Sequence, residues 1–148
     1  MKITDALLGE HGALYPMMDN VEATLKRATT MEECQAAIGP LLSALISHAK
    51  LEDALLFPAI EEGIGPDGPL AVMHAEHERI EELFDRAMHA RSAAEARDYM
   101  ADALELTREH FGKEERVLFS IAQRVIPAER LQQLGDDWAE SRRVSLAM

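Results

Sequence analysis

The amino-acid sequence predicts an all-α protein: an up-down antiparallel four-helix bundle, built as a duplicated helical hairpin, with a short C-terminal helical tail. Three observations predict it. Apolar residues recur at alternating steps of four and three along four separate stretches, the spacing of helices packed along a bundle axis. Helix punctuation bounds the stretches, as capping boxes or Gly–Pro clusters. The second half of the chain also repeats the first, with His48 and His110 each eighteen positions after a capping residue, Thr30 and Ser92.

The first helix is predicted to start near Thr4 or Asp5, with the seam Leu7, His11, Leu14, Met18, Val21 and Leu25. Pro16 lies inside it and is expected to kink it about one turn after His11. Thr30 and Glu33 form a capping box for the second helix. Its seam reads Cys34, Ile38, Leu41, Leu45, His48, Glu52, Leu55 and Ala59; Gly39 and Pro40 interrupt it, which moves the expected start towards Pro40. Residues 63–69, "GIGPDGP", are the clearest loop.

A third helix is predicted from about Pro69 to Ala90, through Met73, His77, Ile80 and Phe84. Ser92 and Glu95 make a second capping box. The fourth seam is Ala96, Met100, Ala103, Thr107, His110, Glu114, Val117 and Ile121. Pro127 opens the tail, whose Leu131, Leu134 and Trp138 are expected to cover one end of the core. The bundle is placed at about residues 4–125 and the tail at about 127–148, within one domain of 148 residues.

The halves match in detail. Each of His48 and His110 is followed by Glu at +4 (Glu52, Glu114), an acid at +5 (Asp53, Glu115), and Leu-Phe at +8 and +9. Glu10-His11 aligns with Glu76-His77, and Leu14 with Ile80. A duplicated hairpin folds naturally into an up-down bundle.

Composition narrows the function. The net charge of −12 argues against binding nucleic acid, where Lys and Arg must neutralise phosphates, and against docking on anionic lipid. Cys34 is the single cysteine, so an intrachain disulfide and a thiolate metal cluster are both excluded. No apolar stretch suits a signal peptide or a membrane span, and a reducing cytoplasm is the expected location.

His11, His48, His77 and His110 each lie on the inward seam of a different helix, with Glu52 and Glu114 one turn beyond two of them. A lone histidine on an apolar face is more often a hydrogen-bonded core residue than a ligand. Two buried carboxylates are another matter, because without cationic partners each costs on the order of several kcal/mol. The seams supply no Lys or Arg. A pair of multivalent metal ions removes that cost and uses every nitrogen. Imidazole with carboxylate suits iron, manganese or zinc, and the lack of thiolate disfavours a closed structural zinc site. The di-iron pattern with Glu three residues before His is absent, since those positions hold Leu8, Leu45, Ala71, His74, Arg86 and Thr107. Zincin spacing is absent too, as His74 and His77 are too close in sequence.

With His11, "HAKLE" (48–52), "HAEH" (74–77) and "HFGKE" (110–114) in this order on four helices, the chain resembles the hemerythrin-like, or HHE cation-binding, domain family. The resemblance covers about residues 5–125, and the runs "LLFPAI" and "VLFSI" fit it as well. It implies a non-haem centre of two iron ions with an oxo or hydroxo bridge. His11 and His48 would bind one iron, His77 and His110 the other, and Glu52 and Glu114 would bridge them. His74, one turn before His77, is implied as a further ligand of the second iron. Tyr15 is either an amphipathic core residue or a hydrogen-bond donor to the site.

The implied function is binding of O2 or NO for sensing, storage or protection. The alternatives are an enzyme that reduces oxygen or peroxide or detoxifies NO, and a protein of iron handling or iron–sulfur repair. Two departures weigh against simple reversible oxygen carriage. Met73 and His74 stand where the oxygen carriers have their extra third-helix histidine, and Glu114 at +4 replaces their aspartate at +5.

Overall fold

The computed structural model describes residues 1–146; the end of the predicted tail, residues 147–148, lies outside them. The helices are α1 (Ile3–Arg27), α2 (Met31–Leu51), α3 (Phe57–Ile64), α4 (Pro69–Met88), α5 (Ala93–Lys113), α6 (Phe119–Val125) and α7 (Ala128–Arg142). Two π-helical turns, Glu52–Leu56 and Glu114–Leu118, join α2 to α3 and α5 to α6. The bundle therefore has four rods: α1, α2 with α3, α4, and α5 with α6. Each rod packs against two neighbours, α1 with α2, α2 with α4, α4 with α5, and α5 with α1. Among the described residues there is no strand, and no helix is long and apolar enough to cross a membrane.

Both capping boxes form. The Glu33 amide donates to Thr30 Oγ1 at 3.1 Å and the Glu95 amide to Ser92 Oγ at 3.1 Å. The loop between α3 and α4 turns on Gly65 and Gly68, at φ 83° and 67°, a region side-chain-bearing residues avoid. Pro69 then opens α4, where its missing N–H is not needed.

Two expectations are corrected. First, α2 starts at Met31, not near Pro40, and runs straight through Gly39 and Pro40. An internal proline costs about 3 kcal/mol. Burial of Cys34, Ile38 and Leu41 across the interruption offsets that cost, at about 1.5–3 kcal/mol for each large side chain. Second, the inward seam changes phase at each buried glutamate. After Glu52 the buried residues are Leu56 and Ile60 rather than Leu55 and Ala59. After Glu114, Val117 is 50% exposed while Leu118 is 1% exposed. The cause is the π turn: the amides of Phe57 and Phe119 donate to the carbonyls of Glu52 and Glu114, five residues back. One extra residue per turn moves every later side chain on by one position. Such turns are frequent at functional sites.

The core is two apolar clusters with a polar layer between them. One holds Leu14, Met18, Leu45, Ile80, Phe84, Met100 and Phe111. The other holds Leu7, Leu56, Phe57, Met73, Leu118 and Phe119, and α7 adds Leu131 and Leu134 to it. On every rod the change from one cluster to the other falls at a histidine or glutamate of the predicted site.

Candidate metal centre

Six of the seven predicted side chains meet in this layer. His11, His48, Glu52, His110 and Glu114 are buried, and the His77 side chain is only 10% exposed. They form two groups, one of His11, His48, Glu52 and Glu114, the other of His77, His110, Glu52 and Glu114. Within each group the donor atoms lie within 4.8 Å of one another, and either group could hold a metal ion. The Nε2 atoms of His11 and His48 are 3.2 Å apart, and those of His77 and His110 are 3.0 Å apart.

The glutamates belong to both groups. Glu52 Oε1 lies 3.4 Å from Nε2 of His48 and 3.3 Å from Nε2 of His77. Glu114 Oε1 lies 3.1 Å from Nε2 of His11 and 3.6 Å from Nε2 of His110. Each of the two glutamates is the first residue of a π turn.

None of the four carboxylate oxygens of Glu52 and Glu114 makes a hydrogen bond within the protein, nor does His77 Nδ1. Orphaned polar atoms of this kind are rare and call for a partner such as an ion or an ordered water. Burial pushes the Glu52 carboxyl up to about 7. Burial, followed by the neighbouring Glu52 charge, raises Glu114 well above the usual carboxylate range. Burial, then proximity to His77, lowers His110 to about 4. The neutral imidazole keeps an Nε2 lone pair for the interior.

A second layer of carboxylates surrounds the first. His48 Nδ1 donates to Glu10 at 2.7 Å, His110 Nδ1 to Glu76 at 3.0 Å, and His11 Nδ1 to Glu115 at 2.9 Å. His77 Nδ1 faces Asp53 at 3.5 Å. Partners of this kind fix the ring orientation and raise the basicity of the opposite nitrogen. The pattern follows the duplication. Glu10 and Glu76, each just before a seam histidine, serve the other histidine of their own hairpin. Asp53 and Glu115, each just after one of the two shared glutamates, serve the opposite hairpin.

Each outer acid is anchored in turn. Burial pushes Glu10 up, but hydrogen bonds from His48, Arg142 and Trp138 outweigh it and hold the carboxyl at about 2. Burial also opposes ionisation of Glu76, and hydrogen bonds from Lys113 and His110 again prevail, lowering it. Tyr15 donates to Glu115 at 2.9 Å. Burial, then that hydrogen bond, pushes its hydroxyl up to about 12. Tyr15 fills both roles open to it: its hydroxyl is a donor to the site and its ring packs edge-on to Phe111 against the apolar core.

His74 is not brought to either group. Its side chain is 53% exposed, and its Nδ1 stands 3.8 Å from Asp53. Met73 takes the buried position one turn before His77.

Aromatic rings wall the layer unequally. Phe57 stacks on His77 with ring centres 5.5 Å apart, and its repeat equivalent Phe119 stacks on His11 at 5.7 Å. Phe111, beside His110, lies flat on His11 at 3.8 Å. Its repeat equivalent beside His48 is only Ala49. A cavity of about 30 Å³ occurs there, lined by Leu45, His48, Ala49, His77, Phe84 and His110 among others.

Sequence reasoning named the inner ligand candidates but not the roles of Glu10, Glu76, Asp53, Glu115, Trp138 and Arg142. The repeat was the available signal for the first four, since the acids before His11 and His77 and at +5 recur in both halves. For Trp138 and Arg142 no repeat exists to read.

A cation could satisfy the orphaned oxygens, and a helical bundle with two such groups has the build of a cation-binding bundle. Sequence comparison supplies the family. Residues 2–122 match the hemerythrin HHE cation binding domain, and the chain belongs to that family. No curated protein and no solved structure matches it.

Proposed function

We propose that the protein holds two non-haem iron ions in this layer and binds a diatomic ligand, O2 or NO, for sensing, storage or protection. The observation that carries the reading is the sharing of Glu52 and Glu114 between two histidine pairs. Two carboxylates with four unpartnered oxygens suit a pair of ions better than one. His11 and His48 would hold one ion, His77 and His110 the other. Histidine nitrogen with carboxylate oxygen is a donor set for iron. A pair of irons supplies redox chemistry and open coordination positions for a small ligand. The protein's own part is to orient four imidazoles through their Nδ1 hydrogens, exclude water with Phe57, Phe111 and Phe119, and leave room beside Ala49. That cavity, about 30 Å³, matches one small molecule.

The test is anaerobic reconstitution with ferrous iron, metal counting, and optical spectra on adding O2, NO or peroxide. Both irons bound and a reversible spectral change with O2 or NO are expected. A single ion, or zinc alone from iron-supplemented growth, overturns the reading. Rapid consumption of O2 or peroxide instead assigns the enzymatic alternative.

A further inference from the structure

The C-terminal helix reaches the metal layer through hydrogen bonds that have no counterpart in the other half. Trp138 Nε1 donates to Glu10 Oε2 at 2.8 Å, and Arg142 Nε donates to the same oxygen at 2.7 Å. Arg142 Nη2 donates to Glu10 Oε1 at 3.1 Å, the oxygen that also accepts from His48 Nδ1 at 2.7 Å. Arg142 further hydrogen-bonds Ser47, the neighbour of His48 on α2. Glu10 thus receives a two-pronged arginine contact, an indole N–H and an imidazole N–H. Among the described residues its repeat equivalent Glu76 receives His110 and Lys113, both from its own hairpin.

α7 itself is firmly seated. Leu131 and Leu134 are buried in the cluster of Leu7, Leu56, Phe57 and Phe119. Gly135 approaches the N-terminus so closely that a Cβ there would stand 1.8 Å from the Met1 carbonyl oxygen. Beside the Arg142 contacts a cleft between α1 and α2, lined by Glu10, Met17, Ala44, Ser47 and Arg142, reaches His48.

We propose that α7 is a latch on one half of the metal layer, with Trp138 and Arg142 as positioning residues that hold Glu10 and, through it, the His48 imidazole. A carboxylate gripped by three outside donors cannot rotate, so the ring it accepts from keeps one orientation. The His48 imidazole is therefore set by the C-terminal helix, and the His110 imidazole by its own hairpin. Loss of the Trp138 and Arg142 contacts alone loosens His48 and spares His110.

The metal readout of this inference rests on the di-iron reading, whereas its metal-free readout does not. Arg142→Gln and Trp138→Phe are compared with Lys113→Gln, which acts on the opposite half. In metal-free protein labelled with nitrogen-15 at histidine, Arg142→Gln should shift or exchange-broaden the His48 Nδ1–H signal and leave that of His110 in place. Lys113→Gln should do the reverse. In anaerobic titration with ferrous iron against a competing chelator, Arg142→Gln should weaken one equivalent by about tenfold, the usual size for an outer partner of a ligating histidine, and leave the other. Adding Glu10→Gln to Arg142→Gln should cost little more, because both act through one contact. An unchanged His48 signal, equal weakening of both equivalents, or fully additive losses each overturn the latch. Trp138→Phe keeps the packing of α7 and decides the question should Arg142→Gln unfold the tail. If the wild-type chain takes up no ferrous iron, the di-iron reading fails and the His48 signal alone judges the latch.

Discussion

Glu52 Oε1 lies 3.3 Å from Nε2 of His77, a residue of the opposite hairpin. Glu114 repeats the crossing at 3.1 Å from His11. Neither hairpin alone holds a complete group of ligands, so the layer exists only where the two halves dock. Because each glutamate serves both groups, losing one should disturb both ions. Glu52→Ala and Glu114→Ala are each expected to abolish most iron binding. Glu78→Ala and Glu81→Ala, at exposed positions of α4, should leave it intact. Metal counts on the four purified variants check this, and equal loss in all four would mean that the wrong acids have been chosen.

The same glutamates should act in the opposite sense on the metal-free fold. Their oxygens are buried without partners, and an unsatisfied buried polar group costs about 1–3 kcal/mol, more when charged. Glu114→Gln should therefore raise the melting temperature of metal-free protein while lowering that of iron-loaded protein. Wild-type protein should show the converse, a clear rise on loading, since the ions bind only the native state. Identical melting temperatures with and without iron would show the layer to be solvated.

Stability of the metal-free chain should fall as pH rises above neutrality. Glu52 is raised to about 7 in the fold from an ordinary value of 4.5, and Glu114 well above it. The folded state therefore binds more protons than the unfolded one in this window. The stability these groups hold below 4.5 is lost as pH climbs through about 7 and beyond. His110 works the other way: lowered to about 4 from 6.5, its contribution is complete above 6.5 and lost as pH falls through about 4. Between 4.5 and 6.5 the two trends oppose each other; above 6.5, of these three groups, the two carboxylates set the trend. Urea denaturation of metal-free protein at pH 6.5 and pH 8 should show lower stability at the higher pH. A flat or rising profile would contradict the burial of these acids as free carboxylic groups.

Much of this layer was legible because the chain states it twice. The seams of α1, α2, α4 and α5, both capping boxes, and the inward direction of six side chains follow from spacing alone. Spacing failed where the backbone changed its own period. A 3.5-residue seam assigns Leu55 and Val117 to the interior, and nothing in "EDALL" or "EERVL" announces a π turn. From histidine to glutamate to leucine the steps are all four residues, a spacing that drifts about 40° per step along an α-helix; the π turn takes up that drift and keeps Leu56 and Leu118 inward. The start of α2 was misplaced for a different reason: local proline chemistry yielded to burial of Cys34 and Ile38. Arg142 was illegible because its role depends on how α7 docks, and docking of an unrepeated element leaves no periodic trace.

Ala49→Phe should close the cavity beside His48 while leaving iron in place. Phe111 already fills the equivalent space over His11, so the substitution makes the halves alike. Overpacking beside His48 costs about 1–3 kcal/mol, which a lower melting temperature of the variant would register. The expected outcome is an unchanged metal count with ligand association slowed at least tenfold, an estimate on the order of one lost contact site. Stopped-flow mixing of the reduced protein with O2 or NO measures it. Unaltered association would place the ligand elsewhere.

His74→Ala should leave both ions bound. Along a helix of 3.6 residues per turn, positions 74 and 77 point about 60° apart. That angle is enough to send one ring into the layer and the other to the surface. Met73, at 4% exposure, takes the inward place one turn before His77, and the His74 side chain stays 53% exposed with its Nδ1 3.8 Å from Asp53. Its remaining link to the site runs through Asp53, itself 48% exposed and 3.5 Å from His77 Nδ1. Exposed pairs of this kind contribute about 0–1 kcal/mol. The variant should therefore keep its metal count, and the melting temperature of the loaded protein should move by no more than a degree or two, given that a surface change is worth about 0.5 kcal/mol. Its optical spectrum should match the wild type, whereas His77→Ala should lose an ion. Loss of one iron from His74→Ala would show that α4 rotates on loading to carry His74 inward, and would restore it to the ligand set.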